Sequence, residues 1–227
     1  YVLAAVFVIG VSAWFLLKKR EEKMAKASIK IAALFGLACS VLLATTGDQS
    51  GRRVAEVQPM KLAAMEALYD GSEGAGLTVI SILRPEEERV SNETAHYMQL
   101  QIPKLLSWMC FGDVNAFVPG INDLVYGNEE RGLLSTEEKI ERGRVAIREM
   151  ARYLQAKKDG DNATLTEVRD KFDPEKQEGK AFLSTYFKFL GYGYLSAPED
   201  VVPPVWMVYY GFRIMVGLGF YFILLFL

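Results

Sequence analysis

Histidine occurs once in the 227 residues and cysteine twice. With only His96, Cys39 and Cys110 to draw on, zinc chemistry lacks ligands and a nucleophile–base pairing lacks a base. No GxSxG elbow and no phosphate-cradling glycine loop is present, so hydrolase and nucleotide readings lack their motifs. Two separated cysteines build no disulfide framework, and each reads as a small buried hydrophobe: Cys39 inside an apolar run, Cys110 beside Trp108 and Phe111. Basic residues form no stripe interleaved with aromatics, which argues against a nucleic-acid partner. There is no internal repeat and no low-complexity tract.

Charge is missing too, but only in places. The chain is 51% hydrophobic and 24% charged with a mean hydropathy of +0.11, ordinary values for a soluble protein. The average conceals a segregation. Residues 1–17 and 31–47 carry no charged side chain, and residues 201–227 carry only Arg213. A helix crosses the hydrocarbon core with about 20 apolar residues, roughly 17 at the lower limit, so each run is expected to be a transmembrane helix. The first is no secretory signal, because its charges follow the apolar stretch and no small-residue cleavage site appears. It starts inside the apolar pattern without an initiator methionine, and the chain reads as a section of something longer.

Residues 18–30, between the first two runs, hold six basic side chains (Lys18, Lys19, Arg20, Lys23, Lys26, Lys30) against Glu21 and Glu22. The positive-inside rule makes this loop cytoplasmic. The expected organisation is a transmembrane hairpin (1–47), an extracytoplasmic, net acidic insert (48–200) and one further span (201–227). The fold class is therefore an all-α membrane protein with a mainly helical loop domain.

An insert of that length needs structure of its own. Residues 58–69 (QPMKLAAMEALY) predict a helix with Pro59 in its first turn and a Leu62, Met65, Tyr69 stripe. Residues 135–158 predict another, opened by a Ser135-x-x-Glu138 capping box. Residues 77–83 form a β-branched stretch, read as a strand or an extended segment. The aromatic-rich residues 182–194 suit a membrane surface. His96, in a polar stretch, is expected on the surface and far from any span.

An arginine buried in a span costs several kcal/mol, so Arg213 is a functional candidate by default; pairing with a carboxylate on another subunit or snorkelling is its structural alternative. Met215 reads either as packing or as a soft haem ligand. Lys61 and Glu66 flank the 58–69 stripe. They are solvated charges, or a pair able to grip a docked ring, with Glu66 accepting a proton and Lys61 orienting an oxygen.

The segments GDQSG (47–51), VQPMKLAAMEA (57–67), QIPKLLS (101–107) and GFRIMVGLGF (211–220) resemble, in order and spacing, subunit I of the cytochrome bd-type quinol oxidases. The resemblance implies that Lys61 and Glu66 bind and oxidise quinol, ubiquinol or menaquinol. It implies that Met215 is an axial ligand of the low-spin haem b and that Arg213 stabilises this haem electrostatically. The partner histidine ligand would lie upstream of Tyr1, and the ligands of the high-spin haem b and haem d lie elsewhere in such a subunit. It further implies a bacterial inner-membrane location, electron delivery to oxygen, proton release on the outer face, and association with subunit II and small transmembrane subunits. On the residues alone, a non-enzymatic membrane-anchored sensing or assembly domain stays open; a transporter section is disfavoured, since three spans show no inverted repeat.

Overall fold

A computed structural model describes all 227 residues. Two antiparallel helices open it: α1 (Val2–Leu17) and α2 (Glu22–Val57). The tight turn between them uses left-handed backbone at Lys19 (φ 52°) and Glu21 (φ 45°). Lys18 lies 4.9 Å over the Trp14 ring, which keeps its ammonium at the loop end of the hairpin.

The second helix is longer than its apolar run. At 36 residues it extends about 54 Å, against a hydrocarbon core of about 30 Å, so it continues well beyond the span. The boundary expected at residues 47/48 therefore falls in the middle of a helix. Gly47 and Gly51 do not break it, and Asp48–Arg52 (3.1 Å) and Arg53–Glu56 (3.2 Å) support the extra turns as i,i+4 and i,i+3 pairs.

The insert continues with α3 (Pro59–Glu66), β1 (Ser72–Glu73), β2 (Leu77–Leu83), α4 (Asn92–Ala95), β3 (His96–Ile102), α5 (Leu105–Phe111), β4 (Phe117–Val118), α6 (Ile121–Tyr126), α7 (Thr136–Asp159), α8 (Asn162–Lys171) and α9 (Gln177–Thr185). Two 3₁₀ segments, Phe187–Tyr194 and Pro198–Val201, lead into α10 (Val205–Phe226). The stretch read as strand or extended is a strand: β2 pairs antiparallel with β3, from Leu77 opposite Ile102 to Leu83 opposite His96, with two register irregularities. A second, minimal ladder joins β1 to β4. Apart from these ribbons the fold is helical. By length and composition, α2 and the stretch Pro198–Phe226 can cross a membrane, whereas α1, at 16 residues, is shorter than a full span.

Ser135 caps α7 as expected, its hydroxyl accepting from the Glu138 N–H at 3.1 Å. The reciprocal half of the box is not made, because the Glu138 carboxylate pairs with Arg142 at 2.6 Å. The aromatic segment expected at the membrane surface packs on α7. A Cβ at Gly143 would stand 2.4 Å from the Phe189 carbonyl oxygen, and one at Gly193 would stand 2.5 Å from the Gly143 carbonyl carbon. Phe172 braces the same unit, meeting Phe182 and Phe187 edge-on at 5.4 and 5.6 Å. Gly143→Val should therefore undock the 3₁₀ segment, an effect of about 1–3 kcal/mol for overpacking or more because backbone is met. Limited proteolysis should then cut between α9 and α10 far faster than in the parent.

Candidate functional site

The site is built where α3 meets α10. Pro59 starts α3 with its fixed φ. The helix stops after Glu66, because Ala67 takes a left-handed conformation (φ 50°) and Leu68 N–H returns to the Ala63 carbonyl at 2.9 Å. The helix expected through Tyr69 thus ends three residues early. Tyr69 lies outside it, with its N–H bonded to Asn92 Oδ1 at 2.7 Å, so Leu62, Met65 and Tyr69 form no continuous stripe. Small residues explain the close approach to neighbouring helices: Ala63 and Ala64 are fully buried.

Glu66 is 4% exposed and its carboxylate is gripped by both terminal nitrogens of Arg213, at 2.5 and 3.3 Å. This is the bidentate arrangement in which guanidinium and carboxylate are strongest. Arg213 thus finds its carboxylate partner within the same chain, where the alternative reading placed it on another subunit. The guanidinium sits 4.9 Å from the Tyr209 ring and 5.4 Å from that of Phe212, and its Nε is buried without a hydrogen-bond partner. Burial pushes the Glu66 carboxyl above its ordinary value, while the hydrogen bond and charge of Arg213 and a backbone bond at Thr78 pull the other way.

Of the four expected site residues, two are brought together and two stand apart. Glu66 and Arg213 meet. Lys61 is exposed, about 140° around α3 from Glu66. Met215, two residues beyond Arg213, points away from the pair and is 61% exposed on the open face of α10. Cys110 is buried as expected, and burial, with the Glu66 charge adding to it, pushes its thiol up to about 11, so it stays protonated.

His96 is a correction. Expected on the surface, it is 8% exposed and hydrogen-bonded to Ser81 Oγ at 2.9 Å, with its ring 6.4 Å from that of Tyr209 on α10. Pairing of β3 with β2 carries it there, and the first residues of α10 close over it. Tyr209 itself, fully buried and 2.8 Å from Ser81 Oγ, was not singled out from the sequence. The signal was present: a tyrosine one helical turn before an intramembrane arginine shares its face.

This geometry defines a class: a helical membrane protein whose loop domain is latched to a span by a buried Arg–Glu pair. The comparisons narrow it. The family described as cytochrome bd terminal oxidase subunit I matches residues 1–227, and the chain belongs to that family. The chain is 30% identical over 223 residues to cytochrome bd-II ubiquinol oxidase subunit 1 of Escherichia coli K12, covering 96% of this chain and 40% of that protein. It is 33% identical over 121 residues to cytochrome bd ubiquinol oxidase subunit 1 of Bacillus subtilis 168, covering 53% and 25%. Among solved structures, bd oxidase from Geobacillus thermodenitrificans aligns with a TM-score of 0.49 and 21% identity over all of this chain and 51% of that one. The chain spans less than half the length of these two sequence relatives.

Membership in this family implies haem. The residues of α10 fit such a group. Gly211 and Gly219 stand one turn either side of Met215, and a Cβ at either would meet nothing within 4 Å, so a flat macrocycle can approach the backbone beside the sulfur. The unpartnered Arg213 Nε offers a donor for an anionic substituent.

Proposed function

We propose that the chain is the quinol-oxidising section of a cytochrome bd-type oxidase subunit I, lying in the bacterial inner membrane with its loop domain on the outer face. Quinol, ubiquinol or menaquinol, docks at the loop-side end of α10, where Glu66 accepts a proton and Lys61 orients a quinol oxygen. The single observation that carries this reading is the Glu66–Arg213 pair, because it joins a buried carboxylate to the span that bears Met215. Met215 would hold the haem iron through its thioether, and Arg213 Nε, which Glu66 leaves free, would be a donor for an anionic substituent of that group. A low-spin haem b bound there would supply one-electron acceptance, leaving the quinol protons to these side chains. A methionine thioether favours the reduced metal and a high potential, which suits an acceptor of quinol electrons.

Burial lets Glu66 bind a proton closer to neutral pH than an ordinary carboxyl, as a base for a quinol hydroxyl requires. The exposed Lys61 keeps its three donors for the ligand. In the full-length subunit, the high-spin haem b and haem d would carry the electrons to oxygen, and subunit II with small transmembrane subunits would complete the assembly. With quinol protons leaving on the loop side, turnover in the full-length enzyme would be electrogenic when the protons for oxygen reduction are drawn from the opposite side.

Lys61→Ala tests the docking role. Lys61 makes a ground-state contact, so the full-length enzyme should show a KM for quinol raised about tenfold, with kcat largely retained and the b-type spectrum intact. An unchanged KM removes Lys61 from the site.

A further inference from the structure

Close to the Glu66–Arg213 pair lies a buried polar chain that the quinol reading does not use. Ser81 interrupts the apolar strand β2 and turns inward, 6% exposed. Its Oγ stands 2.9 Å from His96 Nδ1 and 2.8 Å from Tyr209 OH. The Ala67 carbonyl, on the residue that follows Glu66, faces the His96 ring and favours its protonated form. A carbonyl only accepts, so it favours the tautomer that turns the ring N–H towards it and leaves Nδ1 a lone pair. Ser81 has one proton to give: it donates to Nδ1 and accepts from Tyr209 OH. Every bond in the chain then points from α10 towards His96.

We propose that Tyr209, Ser81 and His96 form a proton relay that removes one of the two quinol protons from the Glu66–Arg213 site, with His96 as the acceptor. The proposal rests on the quinol-oxidation reading. As a quinol O–H bond breaks, the electron passes to an oxidant of the ferric-haem class. The proton adds to the Tyr209 oxygen while that hydroxyl's own hydrogen moves to Ser81, and the Ser81 hydrogen moves to His96 Nδ1. The imidazolium returns its extra proton to water on the loop side, and the chain is reset. Glu66 takes the other quinol proton, and two electrons leave for two protons.

The surroundings of His96 suit an acceptor. Arg213 and Tyr209 face it from α10, with Glu66 of α3 bonded to that arginine, and Arg84 Nε, just beyond β2, donates to the His96 backbone carbonyl at 3.3 Å. Burial holds the imidazole below its ordinary value, the Arg213 charge acts in the same direction, and the Ala67 carbonyl opposes both. The ring is therefore neutral at neutral pH and free to take a proton. Turnover should fall only when the pH drops below this lowered value, as the acceptor fills in advance.

The test uses the full-length oxidase in native membranes. His96→Gln keeps a hydrogen-bond acceptor for Ser81 but holds no extra proton. Quinol oxidation should lose about 10- to 100-fold in kcat with KM and the reduced b-type spectrum unchanged, and the acid limb of the pH profile should disappear. Ser81→Ala should show the same loss and Ser81→Thr, which keeps the hydroxyl, should recover the rate. If His96→Gln matches the parent in kcat and pH profile, the relay is wrong. Should His96→Gln not assemble, equal rates for Ser81→Ala and Ser81→Thr overturn it just as well. Failure of the parent itself to oxidise quinol would instead remove the quinol reading, so the two failures are told apart.

Discussion

Replacing Met215 by leucine in the full-length parent is expected to abolish the low-spin b-type band of the reduced-minus-oxidised spectrum, or shift it with loss of at least one haem equivalent. Leucine matches methionine in volume and polarity, and the site is 61% exposed on α10, so the helix has no packing reason to fail. What disappears is the thioether, a metal ligand that leucine cannot replace. A Gly219→Leu change should act on the same band by a different route. It fills the open space beside the sulfur, where no neighbouring atom now lies within 4 Å, and obstructs the approach of the macrocycle while leaving the ligand in place. A parent-like spectrum in Met215→Leu would return this methionine to simple packing and favour a non-enzymatic sensing or assembly role for the loop domain.

The second large effect concerns the latch. Arg213→Leu leaves the Glu66 carboxylate, 4% exposed, without its cation, and Glu66→Leu leaves the guanidinium without its anion. Breaking one side of a buried pair costs about 3–5 kcal/mol, whereas replacing both sides by apolar groups is often close to neutral. Each single variant should therefore lose about that much stability to chemical denaturation in detergent, and the double variant should lose much less than their sum. The pH dependence carries a sign as well. A carboxyl whose value is raised by burial has its ionisation cost fully present above the folded value. That cost vanishes as the pH falls through it towards 4.5, so Arg213→Leu should regain stability on mild acidification.

The apolar runs and the isolated Arg213 are readable in the chain for one reason. Two charge-free runs, and a third whose one charge is Arg213, declare themselves because a bilayer tolerates so little charge. The overrun of α2 did not, since Gly47, Asp48 and Gly51 resemble a loop until the Asp48–Arg52 pair and the helical register are seen together. The end of α3 at Ala67 is set by a left-handed alanine, a conformation that residue type does not announce. His96 was misplaced for a deeper reason. Its local stretch is polar, and only the pairing of β3 with β2 and the closure of Tyr209 bury it, both contacts being distant in sequence. The Glu66–Arg213 contact, across 147 positions, was likewise beyond the reach of spacing. The roles of Lys61, Glu66, Arg213 and Met215 entered through family resemblance, and chain patterning alone left each with a bland alternative.

Rapid mixing of the full-length Glu66→Gln oxidase with quinol, following the low-spin haem b band, tests the central claim most directly. Glutamine retains a hydrogen bond to Arg213 but cannot accept a quinol proton. The expected result is a normal dithionite-reduced spectrum with haem reduction by quinol slowed at least 100-fold; reduction at the parent rate would contradict the assignment of Glu66 as the base that takes a proton from quinol as it is oxidised.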